Sequence, residues 1–476
     1  MKKMKKLIAL ASCMVLGASA CASLAGCGGK GSDYLEVVVL SAGYGDEWIE
    51  DIRAKFEEET GIKVHLTAEY DVRPIISSHM ASKKNDDDLY IATDTAWKTY
   101  AAQKKFAPLD DLLDDTVDGV KVSDKIRDEY SDSIWYTDQK NTKACYRLPW
   151  TSGTGGIFYN KKMFETNGWK VPTTYDELAA LCATINSAAL PVEGGDLGAT
   201  VKPFVFTGQN ADYFDYTVYT WWAQLAGKDA IEEFLEYKDA SAFATKGSDG
   251  SALDNTYSKL KTATDYWNRL MKKENYVEGS AGKSNHLAQQ NFVNGYAAMM
   301  FNGDWLYNEI LGYKANEVDM TNFELGIMNT PALPGATYTD ISYVIGEDQY
   351  IVIPASSDRI DQAKQFIKYV ISDDGVSTFF NKAHGQLAYK TSAALTTEDG
   401  FMKNLLDFRT AAPKTFTNFS DSLLYLSNIV DIWSIASLRP YNALIGGTNT
   451  LDQAFESIQT QTASNWETWK RKAGIA

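Results

Sequence analysis

The sequence lacks the short motifs that mark the common catalytic centres. It contains no Gly-x-Ser-x-Gly elbow, no His-Glu-x-x-His pair, no Cys-x-x-Cys pair and no Gly-x-x-x-x-Gly-Lys-Ser/Thr loop. Gly43-Tyr44-Gly45 begins like a dinucleotide-binding loop, but Trp48 stands where a third glycine is needed for close packing of helix on strand. The sequence therefore predicts a protein that is not an enzyme and that carries no cofactor.

Long apolar runs are also missing, and the one near the start is short. Four lysines precede the apolar residues 7–16, and small residues follow. This order predicts a secretory signal, because a helix needs roughly 20 apolar residues to cross a bilayer. Leu24-Ala25-Gly26-Cys27 resembles the lipobox of bacterial lipoproteins, in which cleavage before the cysteine leaves a thiol that carries diacylglycerol. We expect a signal peptide over 1–26, a flexible leash over 27–32 and a lipid anchor on Cys27 that holds the protein at the outer face of the membrane; the alternative is a secreted protein with a chance cysteine.

Cysteine and histidine are scarce. The signal and lipobox contain three of the five cysteines, so the mature chain keeps Cys145 and Cys182, which can pair in an oxidising compartment. Cys182 also lies on a helical apolar stripe, which favours a buried free thiol. The four histidines are scattered without metal-ligand spacing, and the acidic run 86–88 lacks the spacing of a calcium loop. No metal site is predicted.

Basic residues are too few to balance the acidic ones. The chain has 46 Lys and Arg against 62 Asp and Glu, for a formal charge of −16. Such a surface repels nucleic acid and anionic lipid headgroups, so neither is an expected partner. A chain of 476 residues is too long for one compact core and fits two domains or two lobes. We expect a monomer.

The residues after the leash have the pattern of a β-α-β unit. An apolar strand over 35–40 precedes an amphipathic helix over 46–60, and a second strand alternates from Ile62 to Leu66. This order predicts a parallel sheet, which a third strand over 89–92 extends. Ligands of such sheets lie beyond the carboxyl ends of the strands, where Tyr44 and Asp94 fall.

Aromatic residues are abundant, with 12 tryptophans and 27 tyrosines. A flat ring matches the apolar face of a sugar, and a neighbouring carboxylate accepts hydrogen bonds from its hydroxyl groups. Asp304 and Trp305 supply that combination in adjacent positions, and Trp267 lies on an apolar helical stripe that assigns it to the core. The other aromatics in predicted loops are candidates for a sugar site, with core packing or a lobe interface as the alternative: Tyr44, Trp150, Tyr213, Trp221, Trp222 and Trp433.

Several short motifs occur in a specific order and spacing. They are Lys55-Phe56-Glu57-x-x-Thr60-Gly61-Ile62-Lys63-Val64, Pro108-Leu109-Asp110-Asp111, Val171-Pro172-x-Thr174-x-Asp176-Glu177-Leu178, Phe292-x-Asn294-Gly295-x-Ala297-Ala298-Met299 and Gly303-x-Trp305. Together they resemble the extracellular solute-binding proteins of bacterial ABC importers, in the large sugar-binding branch.

The resemblance implies a two-lobe α/β fold of the periplasmic-binding-protein type II, hinged, with a ligand cleft between the lobes. We assign 33–148 and 328–357 to lobe 1, and 149–327 and 358–476 to lobe 2. The resemblance also implies delivery of a carbohydrate, which we expect to be an oligosaccharide, to a membrane permease driven by an ATPase. The ligand positions that it implies are Tyr44, Asp94, Trp150, Ser152, Asp304, Trp305, Glu347 and Gln386, and the loop aromatics add Tyr213 and Trp221.

Two other functions fit the same residues. Asp94 and Asp304 could form the acid–base pair of a surface glycoside hydrolase, since aromatic-lined clefts also suit glycan cleavage. Alternatively, the same receptor fold could bind a polyamine, a glycerophosphodiester or a metal.

Overall fold

The fold is described by a computed structural model for residues 33–82, 85–93, 96–315, 320–346, 349–430 and 440–475. The signal, lipobox and leash lie outside the described residues, as do the predicted site residues Asp94 and Glu347 and the candidate aromatic Trp433. Within the described ranges, no helix has both the length and the hydrophobicity needed to span a membrane.

Strands and helices are numbered here in chain order. Strands β1 to β15 are Tyr34–Leu40, Lys63–Glu69, Leu89–Thr93, Thr116–Val117, Val120–Lys121, Trp135–Thr137, Lys143–Cys145, Leu148–Pro149, Gly153–Asn160, Lys202–Val205, Ala297–Gly303, Leu325–Met328, Ile341–Ile345, Gln349–Val352 and Lys414–Phe416. Helices α1 to α18 are Glu47–Thr60, Arg73–Ala81, Trp97–Ala102, Asp110–Asp114, Val122–Lys125, Lys161–Asn167, Tyr175–Ala188, Asp215–Ala226, Lys228–Leu235, Thr256–Leu270, Asn285–Val293, Leu306–Ala315, Ile360–Val370, Asp373–Lys382, Gly400–Ala411, Leu423–Leu426, Pro440–Ile445 and Leu451–Ala473.

The first sheet has the strand order β2-β1-β3-β14-β8. Strand β1 pairs in parallel with β2 and β3, whereas β14 runs antiparallel to β3 and β8. Helix α1 joins β1 to β2, buries an apolar face that includes Ile52 and Phe56, and ends at Gly61, whose φ of 73° suits glycine. The predicted β-α-β unit and its parallel strands are confirmed.

The second sheet has the strand order β10-β11-β9-β13-β15, and β12 also pairs with β9. All residues of β9 are buried, and β9 runs antiparallel to β11, β12 and β13. Helix α7 starts at a capping box formed by Thr174 and Glu177, and α10 buries the predicted stripe that includes Trp267. This sheet and its helices form the second lobe.

The chain passes between the two sheets near residues 150–152, between β13 and β14, and between α14 and β15. The first of these passages lies between β8 and β9, in a segment that contains Pro149 and three glycines. Two sheets with helices on one shared chain make the two-lobe α/β fold that the sequence predicts.

Two segments do not pack in the lobe to which the sequence assigns them; each packs in the other lobe. Strand β13, assigned to lobe 1, pairs with β9 and β15 of the second sheet. Helices α13 and α14, assigned to lobe 2, pack on α1; the ring of Phe366 lies 5.1 Å from that of Phe56. Short-range hydrophobic patterns do not reveal which sheet an element joins. The lobe boundaries as a whole stay predictions.

Both cysteines of the described chain, Cys145 and Cys182, are buried and unpaired. Cys182 lies on the buried face of α7, as its apolar stripe indicates. Trp222 is also buried, and its indole nitrogen donates to the carbonyl oxygen of Thr256 at 2.7 Å. Trp222 therefore belongs to the core of the second lobe.

Candidate functional site

Tyr44 lies on the loop that follows β1, at the edge of the first sheet. The loop turns through Gly43 and Gly45, which have φ of 74° and 69°. A methyl group at Gly43 would come within 2.9 Å of Trp305 Cβ. Glycine is therefore required at this position for two reasons, its positive φ and the close approach of Trp305. The loop thereby brings Tyr44 against residues of the second lobe.

Asp304 follows β11 in the second lobe and is fully buried. Its Oδ1 accepts a hydrogen bond from the hydroxyl of Tyr44 at 2.9 Å, and its Oδ2 accepts one from the backbone N–H of Thr154 at 3.1 Å. Burial raises the pKa of Asp304 to about 6, although these hydrogen bonds oppose the shift. The Tyr44–Asp304 bond therefore joins the two lobes through a buried carboxyl group whose pKa is raised.

A second polar contact joins the lobes nearby. Asn308, on α12, donates from Nδ2 to the carbonyl oxygen of Gly43 at 3.1 Å. These two bonds between the lobes hold the same short loop after β1.

Aromatic rings surround the Tyr44–Asp304 bond, and we call this group the junction cluster. The ring centroid of Tyr44 lies 5.9 Å from that of Trp150 and 6.4 Å from that of Trp305. Trp150 is fully buried, whereas Trp305 is only partly buried. The cluster consists of Tyr44, Trp48, Trp150, Tyr213, Tyr216, Trp305 and Phe379.

Ser152 and Gln386 meet at the first passage between the sheets. The backbone N–H of Ser152 donates to the carbonyl oxygen of Gln386 at 2.8 Å. Arg409 donates from Nη2 to both the hydroxyl and the carbonyl oxygen of Ser152, the latter at 3.2 Å. Arg127 donates from Nη2 to Oε1 of Gln386 at 3.3 Å. Two predicted site residues are thus held by two arginines.

The structure brings most of the predicted site residues together. Tyr44, Asp304 and Trp305 form the centre, with Trp150 and Tyr213 packed at the sides. The exception is Trp221, which is fully buried on α8 and donates from its indole nitrogen to the carbonyl oxygen of Pro331 at 2.8 Å. Its ring packs on Tyr175. The prediction that Trp221 binds ligand is wrong here, because α8 is buried nearly all round and Trp221 fills the core.

Sequence reasoning missed Arg127, Arg409 and Tyr216. Arg127 comes from an acidic stretch that reads as solvated surface, and Arg409 is in the last turn of α15. The only local signal is that arginine is far rarer than lysine in this chain. Arginine is preferred over lysine for planar, bidentate recognition of oxyanions, so each one merits a functional hypothesis.

The described residues offer no cluster of three or more His, Cys, Asp or Glu side chains that could hold a metal ion. The polar groups at the junction are instead hydroxyl, amide, guanidinium and single carboxyl groups, which suit hydrogen bonding to a polar organic solute.

The fold and the junction cluster define a two-lobe α/β architecture with polar and aromatic groups gathered where the lobes meet. The family model of the bacterial extracellular solute-binding proteins matches residues 41–377. The chain belongs to this family, as the resemblance in its sequence predicts.

Three curated relatives are similar in sequence. The chain is 21% identical over 360 residues to the diacetylchitobiose binding protein NgcE of Streptomyces coelicolor, covering 74% of this chain and 69% of that protein. It is 23% identical over 254 residues to the multiple sugar-binding protein of Streptococcus mutans, covering 53% of each. It is 26% identical over 248 residues to a probable sugar-binding periplasmic protein of Rhizobium meliloti, covering 52% of this chain and 50% of that protein. The chain thus spans about half the length of the last two relatives.

Solved structures of similar fold include a chitin oligosaccharide binding protein, with a TM-score of 0.62 and 20% identity over 90% of this chain and 99% of that one. A raffinose complex of the solute-binding protein RafE has a TM-score of 0.61 and 16% identity over the same shares. At these identities the likeness establishes the fold.

Proposed function

We propose that this chain is an extracellular receptor that binds a carbohydrate, specifically an oligosaccharide, and delivers it to the permease of an ABC importer. Family membership supports the receptor role, and the names of the relatives support a sugar as the ligand. The observation that carries the proposal is the pairing of the partly buried Trp305 with the carboxyl group of Asp304 where the lobes meet.

The proposed site uses the two parts of this pairing differently. The exposed part of the Trp305 ring stacks on the apolar face of a sugar ring. Asp304 accepts a hydrogen bond from a sugar hydroxyl, which replaces the one from Tyr44. Because Tyr44 and Asp304 belong to different lobes, entry of a sugar between them couples binding to the angle between the lobes.

We further propose that the receptor does not cleave its ligand. A hinged junction holds two carboxyl groups poorly at a fixed separation, and glycosidases need that fixed separation. Incubation of the protein with an oligosaccharide mixture should release no new reducing ends. New reducing ends that disappear in an Asp304→Asn variant would instead favour a hydrolase.

The experiment that tests binding is a thermal-shift panel of mono- and oligosaccharides, followed by calorimetry on the hits. We expect at least one saccharide to raise the melting temperature and to reduce the radius of gyration in solution scattering. If no saccharide changes either quantity, the proposed function is wrong.

The lipid anchor on Cys27 is part of the same proposal. A diacylated cysteine holds a protein on the membrane where a single chain binds only marginally. Full-length protein should therefore fractionate with membranes, and Cys27→Ala should shift it to the soluble fraction. Cys21→Ala, in the signal segment, is the matched control and should leave the protein on the membrane.

A further inference from the structure

Two arginines from different lobes meet beside the predicted ligand residues. Arg127 follows α5, whose Lys125 pairs with Asp373 of α14 in the first lobe. Arg409 is on α15, which packs along β12 of the second lobe through a 2.8 Å bond from the Ile327 N–H to Asn404 Oδ1. Both guanidinium groups bond to the Ser152–Gln386 unit. They are therefore neighbours across the junction.

Several hydrogen-bond donors beside the Ser152–Gln386 unit have no acceptor within the described part of the chain. Four buried nitrogens beside the Ser152–Gln386 unit have no hydrogen-bond partner among the described residues: Arg127 Nε, Arg409 Nη1, Gln386 Nε2 and Trp150 Nε1. A buried polar group without a partner costs about 1–3 kcal/mol, so native structures rarely keep several together. All four atoms are donors, and the group that complements them is an acceptor.

The positive charges at the same place also lack a carboxylate in direct contact within the described ranges. Among the described residues, neither Arg127 nor Arg409 forms an ion pair with a carboxylate. Burial, followed by the positive charge of Arg409, lowers the pKa of Arg127. Of the nearby carboxyl groups, Glu129 and Asp304 act only at longer range.

Lys125, a cation that is fully buried, has a different environment from the two partly buried arginines. The Lys125 side chain is 3% exposed, and its Nζ lies 2.9 Å from Asp118 and 2.8 Å from Asp373. Two carboxylates thus neutralise one structural lysine, which is the usual arrangement for a buried charge. The two partly buried arginines have no such carboxylate partners in the described chain, which leaves their charges available to a carboxylate on a ligand.

We propose that the carbohydrate carries a carboxylate, as in a uronic-acid sugar, and that this group binds between Arg127 and Arg409. This inference rests on the proposed function and narrows it to acidic saccharides. A planar carboxylate fits the guanidinium fork through two parallel hydrogen bonds. Glu129 and Asp304 act on the two guanidinium groups only through longer-range charge, so what the site lacks among its described residues is a carboxylate in direct contact with both.

The site also relates ligand charge to closure. Each lobe contributes one guanidinium, and two like charges oppose closure of the lobes. A carboxylate between them removes that repulsion and supplies acceptors to donors of both lobes. A neutral sugar of the same size satisfies the aromatic contacts but leaves the two cations unbalanced.

The test compares matched disaccharides on the full chain by calorimetry: galacturonosyl-galactose, which carries one carboxylate, against galactobiose, with galactobiose 6-phosphate as the phosphate arm. We expect galacturonosyl-galactose to bind at least tenfold more tightly than galactobiose, with a preference that shrinks as salt is raised. Arg127→Gln and Arg409→Gln should each reduce this preference to threefold or less. Arg269→Gln, which removes an exposed arginine paired with Asp265, is the control and should leave it unchanged.

Three results would overturn the inference, and they are distinguishable. If the unmodified protein binds the acidic and the neutral sugar equally well, the inference of an acidic ligand is wrong, while the proposed carbohydrate receptor stands. This comparison does not depend on the folding of any variant. If the sugar phosphate binds more tightly than the sugar carboxylate, the group that binds between the arginines is a phosphate and not a carboxylate. If no saccharide of any charge binds, the proposed function fails, and the inference fails with it.

Discussion

The Tyr44–Asp304 bond at the junction has a close counterpart inside the second lobe. There, the hydroxyl of Tyr441 donates to Oδ1 of Asp215 at 2.7 Å, and both residues are buried. Aromatic rings surround this pair as well, since Trp267 lies 4.6 Å from Tyr441. The two places therefore share a buried tyrosine–aspartate bond within an aromatic cluster.

The two tyrosine–aspartate pairs differ in the parts of the molecule that each hydrogen bond joins. They also differ in whether the neighbouring tryptophan ring is accessible to solvent. Tyr441 and Asp215 belong to helices packed on α10, and Trp267 beside them is fully buried. Tyr44 and Asp304 follow strands of different sheets, and Trp305 beside them is partly exposed. The same chemistry stabilises a lobe in one place and forms a candidate ligand site in the other, so aromatic crowding alone does not identify function.

The largest effect expected from this comparison is on stability. Trp267→Ala leaves a cavity in the core, so it should lower the free energy of unfolding by about 3–5 kcal/mol. Urea denaturation followed by circular dichroism measures this change. Saccharide affinity of the folded variant should stay within twofold of the unmodified protein. A tenfold loss would mean that the interior cluster contributes to the site after all.

The pH dependence of stability should depend on the junction pair. Because burial raises the pKa of Asp304 from 3.8 to about 6, the folded chain binds more protons than the unfolded chain between these values. Stability therefore falls as pH rises from about 4 to 6. Asp304→Asn should remove on the order of 2 kcal/mol of this fall, as measured by urea denaturation at pH 4.5 and 7.

Glu309 provides the control for this measurement. Burial raises its pKa to about 7, against a hydrogen bond from Gln289 that lowers it. Glu309→Gln should therefore remove the fall in stability that Glu309 causes as pH rises to about 7. The fall that Asp304 causes up to about pH 6 should remain. If the profiles of stability against pH coincide for the Asp304→Asn variant and the unmodified protein, the whole fall in stability comes from other groups.

Binding should depend on the accessible ring. Trp305→Ala removes the proposed stacking surface and should weaken saccharide binding at least tenfold, or about 1.4 kcal/mol, in titration calorimetry. Trp469→Ala, a partly buried tryptophan on α18, is the matched control and should leave affinity unchanged. Unchanged affinity in the Trp305 variant would remove this residue from the site.

The smallest effect expected is on the shape of the free protein. Tyr44→Phe deletes one lobe-to-lobe hydrogen bond, worth about 1 kcal/mol, and should raise the radius of gyration in solution scattering without ligand. Tyr441→Phe deletes the counterpart bond within one lobe and should leave the radius unchanged. Equal radii for both variants would mean that other contacts hold the lobes together.

Local patterns predicted the elements whose cause is local. The amphipathic pattern over 46–60 predicted helix α1, and the apolar stripe of Trp267 predicted part of α10, because each depends on residues a few positions apart. The Asp304–Trp305 turn was identified from its motif; the structure places it against Tyr44, and its role in ligand binding stays a prediction.

The rest depends on contacts between distant parts of the chain. Trp221 was mistaken for a loop residue because α8, buried nearly all round, shows no polar face that would mark it as a helix. Arg127 and Arg409 become neighbours only through the passage at Ser152 and the loop at Gln386. No periodicity within either segment contains that information.

The ring of Trp305 is seated against backbone that carries no side chains. A methyl group added at Gly43 would contact its Cβ, and one added at Gly303 would overlap its six-membered ring. The indole therefore has few alternative rotamers before any solute arrives. Little conformational entropy is lost when it stacks, and this reduces an unfavourable contribution to the binding free energy.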